Sequence, residues 1–409
     1  MTHPTDGSPP TLHNQVAFDA TLDSLSLSSP MTTQESAPDA WRAARTTVLP
    51  RLERVGATSA LTGASRARFE PTQRLGEGGV GEVVAAVDRD IDREVAIKRL
   101  RADAQSPSAV ARFVDEIRTV GALEHPNVIP IHDVGVDEKG ELYFVMRRVK
   151  GDTLESIIER LAAGDPLTHA HWTFERRVHV FRQLLDAVAF AHDHGFVHRD
   201  IKPANIMIGA FGEVFLMDWG IAKPMNGPDR PLPAVVPTGA AARVTATHVG
   251  AIVGTPVYMS PEQARGERVD ACSDIYSLCV LLHELLGLRH YLADATTLEA
   301  VLEGVNSKRV PMAGGVSSPH QPSPPFDLSW FVAKGVEKDP ARRYQSVREM
   351  IDRLDAREDG HVPIQCPITF SKRASSLFSR FLDRHPYMYM AVVLLGLVAS
   401  VVLTVRHFH

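Results

Sequence analysis

Six glycine-spaced residues near position 76 constrain this 409-residue chain more than any other feature. The run Leu75-Gly76-Glu77-Gly78-Gly79-Val80-Gly81-Glu82-Val83 reads G-x-G-x-x-G and passes straight into β-branched residues. Glycines let a backbone approach phosphate oxygens with no Cβ in the way. A dinucleotide fold uses the same spacing but needs a helix immediately afterwards. Here Val83, Val84 and Val87 read as a strand instead, and Val95-Ala96-Ile97-Lys98 as another. Tyr143 to Met146 reads as a third.

Beyond Gly151 the texture becomes helical. Val178, Phe181, Leu184, Leu185 and Val188 recur at helical spacing, and Ile275 to Leu286 does the same. Strands first and helices later predict an α+β chain with a small β-rich lobe before a larger helical one. No internal repeat is visible.

Residues 1–68 are rich in Ser, Thr, Pro and Ala. Such a composition buries too little apolar surface to offset the entropy of ordering, so a disordered segment is expected. Trp41 to Val55 is the one helix candidate within it. Net charge is −5, with no basic excess to attract nucleic acid. Cys272, Cys279 and Cys366 are too few for a disulfide framework and fit no zinc spacing. The N-terminus lacks a basic stretch followed by an apolar one, so no secretory signal is expected.

Lys98 interrupts an apolar strand. Alone it reads as an exposed strand residue. An anionic neighbour changes that, and Glu116, in a helix expected over residues 109–123, offers one. A second chemical segment is His198-Arg199-Asp200-Ile201-Lys202-Pro203-Ala204-Asn205. It is followed by Asp218-Trp219-Gly220, Gly254-Thr255-Pro256 and Ser260-Pro261-Glu262. His192 and His198 lack the third ligand that a metal site needs.

Taken in order, these motifs resemble those of a protein kinase domain over residues 69–357, in particular the bacterial relatives of eukaryotic Ser/Thr kinases. The resemblance implies a bilobal protein-kinase-like fold. It implies that Leu75, Gly76, Glu77, Gly78, Gly79, Val80, Gly81 and Val83 cover the phosphates of ATP, with Ala96, Met146 and Val149 around the adenine. Lys98 would contact the α- and β-phosphates and pair with Glu116. Asp200 would orient the acceptor hydroxyl and take its proton, and Lys202 would neutralise the γ-phosphate. Asn205 and Asp218 would hold Mg2+, with Mn2+ as an alternative. Independently of the family, ATP carries several negative charges, and two oxygen ligands with two lysines suit their stabilisation.

Asp-x-Lys-Pro-x-Asn resembles the Ser/Thr class, so the expected partners are proteins bearing Ser or Thr acceptors. The resemblance also implies a buried Glu262–Arg343 ion pair and an Asp274 that braces the catalytic loop. Arg199 would bind a phosphate on the loop that holds Thr238, Thr245 and Thr247, with autophosphorylation expected at Thr245 or Thr247. Trp219 replaces the usual Phe, Ser260 the usual Ala, and Cys279 a frequent Gly. Two other classes stay open: a non-catalytic scaffold of kinase fold, and a small-molecule phosphotransferase, which fits the Ser260-Pro261-Glu262 segment poorly.

Tyr387 to Val405 holds 19 residues without a charge, long enough to cross a hydrocarbon core of ~30 Å. Lys372, Arg373, Arg380 and Arg384 precede it and Arg406 follows. That asymmetry predicts a single-pass C-terminal transmembrane helix in the cell membrane, kinase-like domain cytoplasmic, residues 406–409 outside. A buried core helix is the alternative. Residues 358–386 would be juxtamembrane, with Ala374 to Arg384 as an interfacial helix whose Leu377, Phe378, Phe381 and Leu382 meet lipid. Gly396 and Ser400 are spaced like a small-residue contact face, which would favour a homodimer.

Overall fold

A computed structural model describes residues 45–49, 51–55, 58–62, 67–77, 81–101, 106–219, 223–224, 256–316, 318–361, 367–384 and 394. All belong to the compact unit Arg42–His409. Gly78, Gly79, Val80, Gly220, Thr238, Thr245, Thr247, Gly254, Thr255 and Cys366 lie outside the described residues, as does 387–405 apart from Leu394. Among the described residues no helix is long and apolar enough to cross a membrane.

The first lobe is an antiparallel sheet. Its strands are β3 (Phe69–Glu77), β4 (Gly81–Asp88), β5 (Arg93–Leu100), β6 (Ile131–Val136) and β7 (Leu142–Arg147), in the order β3-β4-β5-β7-β6. Helix α1 (Pro107–Ala122) covers it. Ser106 caps this helix by accepting from the Ala109 N–H, and Pro107 supplies a preset φ in the first turn. Its buried residues Ala109, Phe113, Glu116 and Thr119 recur every three or four positions. Phe113 meets Phe144 of β7 at 5.4 Å between ring centroids. This contact fixes α1 on the sheet, and with it the position of Glu116.

The second lobe is helical. It comprises α2 (Leu154–Ala162), α3 (Pro166–His171), α4 (Phe174–Asp193), α5 (Pro261–Ala264), α6 (Ala271–Gly287), α7 (Leu298–Ser307), α8 (Phe326–Gly335) and α9 (Val347–Glu358). Helix α6 is buried around almost its whole circumference. It forms the spine of one large core that also holds Phe181, Leu184, Leu185 and Val188 of α4. Short strands surround the segment 198–205, which runs between the second and third of them: β8 (Gly151–Thr153), β9 (Phe196–Val197), β10 (Ile206–Gly209), β11 (Val214–Leu216) and β12 (Lys223–Pro224).

Order begins earlier than the composition implies. Strands β1 (Arg51–Val55) and β2 (Thr58–Thr62) form an antiparallel hairpin. The helix candidate over 41–55 is not formed among the described residues: 45–49 are irregular and Arg51–Val55 is a strand. Residues 45–49 are tied to the first lobe. Arg45 donates to Asp133 at 2.7 Å, and the Val48 and Leu49 N–H groups donate to Asp90 at 2.9 and 3.0 Å. Arg68 grips the fully buried Asp88 through two bonds of 3.0 and 2.9 Å. These partners are up to 88 residues apart, so no local pattern announces them.

One close approach explains a departure noted above. A Cβ at Gly335 would sit 2.1 Å from Cys279 Sγ. The sulfur occupies the space that α8 leaves by having glycine there. Helix α10 (Pro367–Arg384) follows, starting seven residues before the expected interfacial helix.

Candidate active site

Three elements converge on Lys98. It lies in β5, opposite Val83 of β4 and Phe144 of β7. Its Nζ donates to Glu116 Oε1 at 2.5 Å from α1 and lies 3.4 Å from Asp218 Oδ1, just beyond β11. Burial works against the Lys98 charge, but Asp218 and Glu116 outweigh it and hold the ammonium above its ordinary value. Burial raises the Glu116 carboxyl, with Lys98 opposing and Asp218 adding to the rise. Asp218 goes the other way: burial would raise it, yet Lys98, His198 and Lys202 together bring it below the usual carboxylate range. The site therefore keeps a charged amine between two carboxyls.

A second group forms around Asp200. Lys202 Nζ donates to Asp200 Oδ2 at 2.6 Å. Asn205 Nδ2 donates to the Asp200 carbonyl at 2.9 Å and to Oδ2 at 3.0 Å. Both side-chain bonds use Oδ2, and among the described residues no hydrogen bond occupies Asp200 Oδ1. The pairing of β10 with β11 places Ile206 opposite Leu216. One step further the Met217 N–H donates to the Asn205 carbonyl at 2.8 Å. Asn205 and Asp218 thus flank one paired end of a hairpin. Asn205 spends its amide nitrogen on Asp200, which leaves its amide oxygen available. Amide and carboxylate oxygens are hard donors that fit Mg2+.

The loop is held by backbone strain and a buried acid. Arg199 has φ 71° and Asp218 φ 59°, both left-handed. Such conformations cost on the order of 1–3 kcal/mol in side chains other than glycine and persist where surroundings impose them. Asp274 of α6 imposes the first. It accepts the His198 and Arg199 N–H groups at 2.8 Å each, and His192 Nε2 lies 2.8 Å from Oδ2. Burial would raise the Asp274 carboxyl, but the His192 hydrogen bond and these neighbours lower it. His198 in turn accepts the Asp200 N–H at Nδ1, 3.2 Å, which leaves Nε2 to donate to the Met217 carbonyl at 3.1 Å. Trp219, fully buried, stands edge-on to His198 at 4.5 Å. Its indole N–H donates to the Leu216 carbonyl at 3.4 Å.

Glu262 and Arg343 form the expected buried pair, at 2.7 and 2.9 Å. Burial raises the Glu262 carboxyl, but the bonds from Arg343 and Ser273 overcome it and leave it low. Gln263 was not singled out from the sequence, yet its amide donates to the Arg199 carbonyl at 2.9 Å. The signal was there: Ser260 and Gln263 form a capping box at the start of α5, the S-x-x-Q pattern. That box gives Ser260 a role the usual Ala could not fill. The contact of His192 with Asp274 and the bond between Tyr258 and Glu284 were likewise not legible.

The remaining expected residues are placed as follows. Leu75, Gly76 and Glu77 end β3, while Gly81 and Val83 begin β4. A Cβ at Gly81 would lie 2.6 Å from the Arg99 carbonyl oxygen, so the close packing of β4 on β5 requires glycine there. Ala96 of β5 pairs with Met146 of β7. Val149 follows β7, partly buried.

Residues 69–353 match the protein kinase domain family. The chain is 36% identical over 323 residues to a probable serine/threonine-protein kinase of Streptomyces coelicolor, covering 78% of this chain and 44% of that protein. It is 38% identical over 324 residues to serine/threonine-protein kinase PknB of Mycolicibacterium smegmatis, covering 78% and 47%. Against serine/threonine-protein kinase PknD of Protochlamydia amoebophila it is 36% identical over 289 residues, covering 69% and 29%. The matches span less than half the length of these relatives. A family match of this extent, over the lobes and catalytic segment described above, means that the chain belongs to the protein kinase domain family.

Proposed function

We propose that the chain is a membrane-anchored protein Ser/Thr kinase that moves the γ-phosphoryl group of ATP to Ser or Thr hydroxyls of proteins. The observation that carries this is the meeting of Lys98, Glu116 and Asp218 from three elements, beside the Asp200–Lys202–Asn205 group. Lys98 holds nucleotide phosphate oxygens while Glu116 keeps the amine aimed. Mg2+, when held by Asn205 and Asp218, would neutralise charge between the phosphates. Asp200 Oδ1 accepts the proton of the acceptor hydroxyl as its oxygen bonds to the γ-phosphorus and the bond to the ADP oxygen breaks. Lys202, bonded to the same carboxylate, stabilises charge on the transferred group.

The test is transfer of label from γ-labelled ATP to a basic protein substrate, with Asp200→Asn as the control. Label on wild type and none on the variant supports the reading. Equal label on both rejects the role given to Asp200, and none on either rejects the reading in favour of a binding scaffold. The same reaction, read by mass spectrometry, examines autophosphorylation at Thr245 or Thr247. An active enzyme with neither residue modified rejects that part.

The membrane part of the reading is carried by 19 uncharged residues with basic residues on their N-terminal side. Its partner is membrane lipid, and nucleic acid is not among the partners, given the acidic balance. A homodimer through Gly396 and Ser400 belongs to the same proposal. It predicts that Gly396→Leu reduces crosslinked dimer.

A further inference from the structure

The apolar face of helix α10 is about half exposed. At 3.6 residues per turn, Phe370, Leu377, Phe378 and Phe381 fall within an arc of about 100°. They are between 48% and 62% exposed. The helix lies against α8, and these four side chains still keep about half of their surface exposed. Trp330 of α8 is itself 37% exposed. Arg373 and Arg384, eleven residues apart, share one side of the helix next to Leu377. By sequence α10 carries four basic residues, Lys372, Arg373, Arg380 and Arg384, against one acid, Asp383, in a chain of net charge −5. Positive charge is therefore concentrated on the helix that carries the aromatic face, with Arg373 and Arg384 beside it, and this helix immediately precedes the uncharged stretch 387–405.

We propose that α10 lies flat in the headgroup layer of an anionic phospholipid bilayer, its Phe/Leu face among the acyl chains and its arginine edge on phosphate oxygens. This deepens the membrane-anchored reading and rests on it. Two features select a bilayer over a protein groove. The face is broad and aromatic rather than a narrow seam, and the chain continues from it into a segment long enough to span. Charge complementarity selects anionic lipid, since each Arg near such a surface adds a similar increment of attraction.

The full chain is reconstituted into vesicles of phosphatidylcholine alone and of phosphatidylcholine with phosphatidylglycerol. Amide exchange of 367–384 is then followed by mass spectrometry. Exchange is expected to slow on the order of tenfold in the anionic vesicles. Arg373→Glu combined with Arg384→Glu should abolish the difference, and Phe378→Ser should weaken protection in both lipids, while phosphotransfer is unchanged. Equal exchange in the two lipids overturns the proposal. So does protection already complete in detergent, or protection that scales with protein concentration, which would assign the face to the second lobe or to another copy. Alkaline extraction separates the two readings. A chain that resists extraction but shows lipid-independent exchange loses only the α10 proposal. A chain that washes off loses the anchor, and α10 then stands only if the chain sediments with anionic and not with neutral vesicles.

Discussion

Asp274 accepts the backbone N–H of Arg199 at 2.8 Å, and Arg199 is the residue that adopts φ 71° one step before the proposed base. A buried helix carboxylate thus holds the backbone turn that presents Asp200. Asp274→Ala should lower kcat by roughly 10²-fold, because a displacement of about 1 Å at a reacting group has that effect. The KM for ATP should change little, since Lys98 and Glu116 sit in the other lobe. Steady-state kinetics read the split, and an unchanged kcat would remove Asp274 from any positioning role.

Lys98→Met should reduce phosphotransfer by roughly 10²–10³-fold, the usual loss for one preorganised charge. Glu116→Gln should cost less. Asp218 still lies 3.4 Å from the amine and can keep it near the phosphates. Comparing the two variants at saturating Mg-ATP checks the order, and a larger loss for Glu116→Gln would contradict it.

Gly335→Ala should destabilise the second lobe by about 1–3 kcal/mol, the range for overpacking a filled core. The new Cβ would meet Cys279 Sγ. Adding Cys279→Gly should recover most of that loss, because it empties the contested space. Urea unfolding of the single and double variants measures the coupling, and additive effects would show that the two sites do not share the space.

His283 is fully buried in α6. Burial, with the Pro311 backbone opposing, pushes its pKa from 6.5 down to about 4. His290 is pushed down to about 3, first by burial and then by the His283 and Lys308 charges. The unfolded chain therefore binds more protons than the folded one below pH 6.5, and stability from these groups falls as pH drops from 6.5 toward 4. Glu284 opposes this: burial raises it to about 7, so it favours the folded state as pH falls from 7 toward 4.5. His283→Met should flatten the acid side of the Tm–pH profile. A profile identical to wild type would refute the assignment.

The legible part of the chain was that in which chemistry and spacing coincide. Gly76, Lys98, Asp200, Asn205 and Asp218 could be found because each is a charged, amide or glycine residue at a spacing that few folds share. The Glu262–Arg343 pair followed from the same resemblance. Gln263 was legible as a capping box but not as a support for Arg199, since a local signal cannot name a partner 64 residues away. The early hairpin and the Arg45 and Arg68 contacts were hidden by a composition that argues for disorder. The two arginines are held by Asp88 at the end of β4, Asp90 in the turn after it and Asp133 of β6.

Strand-then-helix order, the glycine spacing over residues 76–81 and the charge of the segment 198–205 are properties of short stretches. Backbone sterics, side-chain period and ionisation act within a few residues, so the sequence alone determined them. That Asp218 joins Glu116 at Lys98, that Gln263 supports the Arg199 carbonyl and why Cys279 is tolerated were decided only when distant segments packed together. Those are contacts between residues far apart in the chain, and their partners are chosen by the folding of the lobes rather than by their neighbours in the sequence.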